Sequence, residues 1–152
     1  MIRMNRTLFA AAAVVALALP AQSGEHVIAT PNAPEAIGPY SQAIQVGNTL
    51  YLAGQIAIDP ATNEVTPGTI EEETRLVLTN LQAVVEAAGF SMSDVVSTSV
   101  FMADLAEFPQ MNAVYAEFFP EAPPARATVQ VARLPRDVKI EISAIAAREN
   151  AD

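Results

Sequence analysis

The chain has 152 residues, one domain's worth, and 51% of them are hydrophobic, enough to bury a core. Its 17 acidic residues outweigh 8 basic ones, for a net charge of −9, which argues against nucleic acid as a partner because phosphates need a basic surface. With no cysteine and one histidine (His26), disulfides, iron–sulfur clusters, thiolate zinc, His-rich metal sites and thiol catalysis are excluded, which leaves carboxylates, arginine, tyrosine, hydroxyls and the backbone.

Residues 1–23 read as a secretory signal peptide. Arg3 and Arg6 make a basic start, Thr7 to Leu19 is an uncharged run of 13 residues, and small residues follow at Ala21 and Ser23. The apolar run is below the roughly 18–20 residues a membrane span needs. An uncleaved anchor or a buried N-terminal helix is the competing reading. Cleavage is expected after Ala21 or Ser23, with a periplasmic or secreted destination. Removal of residues 1–23 leaves 129 residues and takes away two arginines, so the charge moves from −9 to −11.

The mature chain, residues 24–152, is expected to form one domain. His26–Ala29 begins it as a strand, and a loop with three prolines runs from Pro31 to Pro39. Ser41–Val46 and Thr49–Ile58 read as a hairpin about Gly47-Asn48, with Leu50, Leu52, Ile56 and Ile58 on one face. Asp59 to Asn63 is a turn. Thr69 and Glu72 form a capping box for a helix carrying Leu76, Leu78, Leu81, Val84, Val85 and Ala88, closed by Gly89. The Glu71-Glu72-Glu73 run suits the positive end of that helix better than acid–base work.

Asp94–Met102 is the next strand, and Phe108–Phe119 the second helix, with Met111, Val114, Tyr115 and Phe118 as a core stripe. Prolines 120, 123 and 124 force a loop before two last strands, Arg126–Leu134 and Lys139–Ala147. The order β-β-β-α-β-α-β-β predicts an α+β fold: one mixed sheet with both helices on one face. Alternation puts Arg126, Thr128 and Gln130, together with Lys139, Glu141 and Ser143, on the other face. That face also offers Ala53 and Ala57, a mixture that suits a subunit interface with clefts; a solvent-facing sheet is the alternative.

Two residues stand out chemically. Arg126 follows Pro123-Pro124-Ala125 and could grip a carboxylate or phosphate with two parallel hydrogen bonds. Glu141, in the middle of an otherwise apolar strand, could activate water if burial raises its pKa. A structural ion pair between the two, or plain solvent exposure, accounts better for the spacing taken alone. A tight hairpin of the last two strands would set Glu141 opposite Gln130 and leave Arg126 out of reach. The pair then needs another strand order or a neighbouring subunit.

Ala33-Pro34-Glu35-Ala36-Ile37-Gly38-Pro39-Tyr40-Ser41-Gln42-Ala43 resembles the opening motif of the RidA (YjgF/UK-type) family. Leu52-Ala53-Gly54-Gln55-Ile56 resembles its strand motif, and Pro124 to Val129 with Val131 to Pro135 and Val138 to Ile142 its closing signature. The likeness runs over about residues 26–148. It implies a chorismate-mutase-like fold, a homotrimer whose sheets face a central barrel, and three clefts between subunits. It implies hydrolysis of reactive 2-imino (enamine) acids to 2-oxo acids and ammonia, with no cofactor and no metal. On this likeness Arg126 binds the substrate carboxylate, Glu141 positions the attacking water, Tyr40 lines the cleft, and the Gly54 backbone meets the substrate. Asn112 takes a supporting role. Ala53 stands where Ser is common and Thr128 where Cys is common; both are expected to line the cleft and to tune substrate preference. A non-catalytic trimer binding small carboxylates, a chaperone-like holdase, and a ribonuclease are the competing functions, the last opposed by the charge.

Overall fold

A computed structural model describes residues 24–149. The expected signal segment, residues 1–23, lies outside the described residues. Eight strands and two α-helices follow in chain order: β1 (Glu25–Ile28), β2 (Ala43–Val46), β3 (Thr49–Gln55), β4 (Ile58–Asp59), β5 (Glu64–Val65), α1 (Ile70–Ala87), β6 (Val95–Met102), α2 (Phe108–Phe118), β7 (Ala125–Gln130) and β8 (Ile140–Ala147). Six strands form one mixed sheet in the order β1-β2-β3-β8-β6-β7; β4 and β5 make a separate two-stranded ribbon. Only β6 and β7 run parallel, and α2 is the crossover that parallel pairing requires.

Both helices cover one face, as the sequence predicts. Leu50, Val100, Met102, Ile140 and Ile142 of the sheet are fully buried against Val77, Leu78, Leu81, Val84 and Val85 of α1 and Met111 of α2. Thr69 caps α1 with Glu72 in the predicted box, and Gly89 adopts a φ of 75° just past its end, a conformation that favours glycine. The opposite face carries exposed apolar side chains: Val46, Tyr51, Val129 and Ile145.

The third strand departs from the prediction of a continuous run to Ile58. Leu52 pairs with Ala144 but Gln55 with Ile142, so β3 carries one extra residue at Ala53-Gly54 and bulges. The bulge reverses the alternation. Gln55 faces the core, and Ile56 and Ile58 pack instead in a small cluster with Leu134 and Val138. The last two strands also differ: β7 ends at Gln130, and β6 lies between β7 and β8, so they form no hairpin.

Glu73 answers for the acidic run differently from its neighbours. It is buried, and its carboxylate accepts hydrogen bonds from the backbone N–H of Gly68 (3.3 Å) and of Lys139 (2.8 Å). It ties the start of α1 to the start of β8. Glu73→Ala leaves two backbone donors unpaired and is expected to cost about 3 kcal/mol, read as a lower midpoint in urea denaturation. An unchanged midpoint would remove this clamp from the account.

Candidate functional site

Glu141 lies on the face of the sheet away from the helices. Its register partner on β6 is Phe101, and Gly54 of the β3 bulge sits beside it. The carboxylate occupies the space where a Gly54 side chain would be: a methyl carbon there would stand 2.8 Å from Glu141 Cδ and 3.0 Å from Cγ. So the bulge has a local purpose. It opens a gap in the sheet beside β8, and glycine leaves that gap for the acid.

A cavity of about 320 Å³ opens over this carboxylate. Tyr40, Ala53, Gly54 and Glu141 line it together, with Ile37, Ile56 and Pro135 among the apolar walls. Partial burial pushes the Glu141 carboxyl up from its ordinary value. Tyr40 is half exposed, and its hydroxyl accepts a hydrogen bond from the Ile37 N–H at 3.3 Å. Four of the seven predicted site residues are therefore brought together.

The other three gather elsewhere. In the parallel β6–β7 ladder Arg126 pairs with Thr98 and Thr128 with Val100, so both point to the helix side. The expectation that Arg126, Thr128 and Gln130 share a face with Glu141 is thus wrong. Side-chain alternation orders residues along one strand; the parallel pairing of β7, which decides the face, leaves no mark in that alternation. Arg126 donates from Nη2 to Asn112 Oδ1 of α2 at 2.8 Å, and its guanidinium lies over the rings of Tyr115 (4.5 Å) and Phe108 (5.5 Å). Among the described residues no carboxylate forms an ion pair with it. Thr128 Oγ1 is buried and has no hydrogen-bond partner among them either.

Three register steps and two strand spacings separate Arg126 from Glu141, about 14 Å between Cα atoms, in addition to the sheet itself. Among the described residues the chain thus sets an acid in a largely apolar cavity with no cation paired to it, and a cation on the edge strand with no acid paired to it. The sequence reading missed Phe108 and Tyr115 under the arginine, and Gln42 and Pro135 at the cavity. Tyr115 was legible only as core, and it serves both purposes. Pro135 falls between the two strands read at the end of the sequence, but its position at the cavity follows from the placing of β8 beside β3.

A family model described as Endoribonuclease L-PSP matches residues 30–148. The chain is 55% identical over 125 residues to a RutC family protein of Pyrococcus horikoshii, covering 82% of this chain and 99% of the other. It is 52% identical over 124 residues to a 2-iminobutanoate/2-iminopropanoate deaminase of Escherichia coli K12, covering 80% and 96%. Among solved structures it is similar to E. coli TdcF with bound serine, with a TM-score of 0.78 and 45% identity over 82% of this chain and 99% of that one.

Proposed function

This chain belongs to the Endoribonuclease L-PSP (RidA/YjgF) family, and from that membership we propose that it hydrolyses reactive 2-imino acids and their enamine tautomers to 2-oxo acids and ammonia. The observation that carries the reading is the half-buried Glu141 carboxylate in its cavity, set against an Arg126 that pairs with Asn112 and, among the described residues, with no acid. In a trimer whose clefts form between subunits, Arg126 of one subunit meets the Glu141 cavity of the next. The serine held by TdcF, an amino acid with a free carboxylate, is a ligand of the expected shape.

The chemistry needs little more than placement. The guanidinium grips the substrate carboxylate through two hydrogen bonds and fixes the imine carbon over Glu141, which lowers the entropic cost of attack. Glu141 takes a proton from water as its oxygen bonds to that carbon. The resulting carbinolamine receives that proton on its amino nitrogen; as the C–N bond breaks and ammonia leaves, the hydroxyl proton passes back to Glu141 and the C=O forms. Ala53 and Tyr40 shape the cleft around the substrate on the Glu141 side, Thr128 comes with Arg126 from the neighbouring subunit, and Asn112 holds the arginine. The basic-apolar-small order of residues 1–23 supports an exported enzyme, periplasmic or secreted.

A coupled assay tests the reading. An amino-acid oxidase generates imines in situ, semicarbazide competes for them, and the protein is expected to suppress semicarbazone formation while Arg126→Ala does not. Protein that leaves semicarbazone unchanged for every amino acid would overturn the deaminase and favour a carboxylate-binding trimer. The pH dependence carries a sign as well. Burial raises the Glu141 pKa, and a neighbouring guanidinium opposes that rise. The base form is lost as pH falls through the folded pKa. Arg126→Ala therefore moves the acid limb of any residual activity to higher pH.

A further inference from the structure

Gln42 stands at the junction of the cavity's two walls, and its whole amide is engaged. Its Oε1 accepts from the Thr30 N–H at 2.7 Å. Its Nε2 donates to the carbonyls of Thr30 (3.1 Å), Ala33 (3.2 Å) and Pro34 (2.7 Å). Its own backbone carbonyl accepts from the Ala53 N–H at 3.0 Å, the residue that opens the β3 bulge. The side chain is buried, 5% exposed.

These bonds have a geometric consequence. The segment from Thr30 to Tyr40 has almost no strand or helix of its own, and its prolines remove donors from it. Gln42 supplies what secondary structure does not. It reads three carbonyls and one N–H of that loop and anchors them to the strand pairing that carries Ala53 and Gly54. Pro34, Ile37 and Tyr40 thereby stand as a fixed wall opposite Glu141.

We infer that Gln42 is a positioning residue: it locks the loop bearing Tyr40 against the Gly54 bulge and so sets the width of the cavity over Glu141. The inference rests on the deaminase reading only where activity is the readout. Apolar side chains could cover the same space, but they would leave four backbone groups of the loop without partners.

The test replaces the amide with an isostere. In the Gln42→Met variant of the full protein, backbone hydrogen exchange over residues 30–41 is expected to speed up by about tenfold to hundredfold, the loss that follows from unmade bonds to buried groups. Peptides from α1, β6 and β8 keep their protection. The specificity constant for imine hydrolysis falls by a similar factor, because the wall no longer orients the substrate. Gln42→Glu separates positioning from packing. Its ionised form repels the three carbonyls, whereas the neutral acid keeps one donor, so protection of the loop recovers as pH falls. Unchanged exchange in the loop, an equal rise across the whole sheet, or a freed loop with wild-type activity would each overturn the inference. If the wild type itself hydrolyses no imine, the deaminase reading fails. The exchange pattern then still decides whether Gln42 holds the wall.

Discussion

Mixing the Arg126→Ala and Glu141→Gln variants in equal amounts, by coexpression or joint refolding, is expected to restore about a quarter of wild-type imine hydrolysis from two proteins that are each inactive. The reason lies in the β7 ladder. Arg126 pairs with Thr98 on the helix face, and Glu141 pairs with Phe101 on the other, so one chain cannot bring them to one substrate. In the cyclic trimer proposed above, each cleft would take its arginine from one subunit and its glutamate from the next. A cleft works when the arginine comes from a Glu141→Gln chain and the glutamate from an Arg126→Ala chain. With random assembly each condition is met half the time, so about one cleft in four is intact. Each single variant should lose about 10²–10⁴-fold, the usual worth of a positioned proton acceptor or of an oriented substrate. A mixture as inactive as its components would place both residues in one subunit's site, against the register, or would remove one of them from catalysis.

Much of this arrangement was readable from residue order. The capping box at Thr69, the apolar spacing of α1, the Gly47-Asn48 hairpin and the two-helix, one-sheet fold are local or periodic signals, and they survive in the structure. The site was readable in part, for a definite reason. Tyr40, Ala53, Gly54 and Glu141 converge because β3 and β8 are neighbours, but nothing in either strand's alternation names its neighbour. The same blindness misplaced Arg126: the side chain alternates as expected, but the parallel pairing of β7 with β6 decides which face is which. The bulge at Ala53-Gly54 was equally invisible. A single extra residue shifts the face of everything beyond it, which is why Ile56 and Ile58 left the stripe assigned to them. Gln42 was hidden by its bonding. A glutamine at the start of a strand reads as polar surface until the loop whose carbonyls it holds is folded over it.

Gly54→Ala is expected to lower the specificity constant by about 10²–10⁴-fold, as much as removing the glutamate itself, while leaving the fold intact. The new methyl group would overlap Glu141 Oε1 and lie 2.8 Å from its Cδ. What it strikes is the free end of a flexible side chain rather than backbone, so the bulge can stay and the carboxylate must leave. Circular dichroism and the melting temperature should therefore change little. The family likeness offers a different role for this glycine, a backbone that meets the substrate, and the two roles diverge in a double-mutant cycle. If Gly54 matters because it makes room for Glu141, adding Gly54→Ala to Glu141→Gln costs little beyond the single loss, since the displaced group is already disabled. If the Gly54 backbone binds the substrate on its own account, the two losses multiply. An unreduced rate in Gly54→Ala alone would remove the carboxylate's seat from the mechanism, because Glu141 would then work equally well from outside the gap in the sheet.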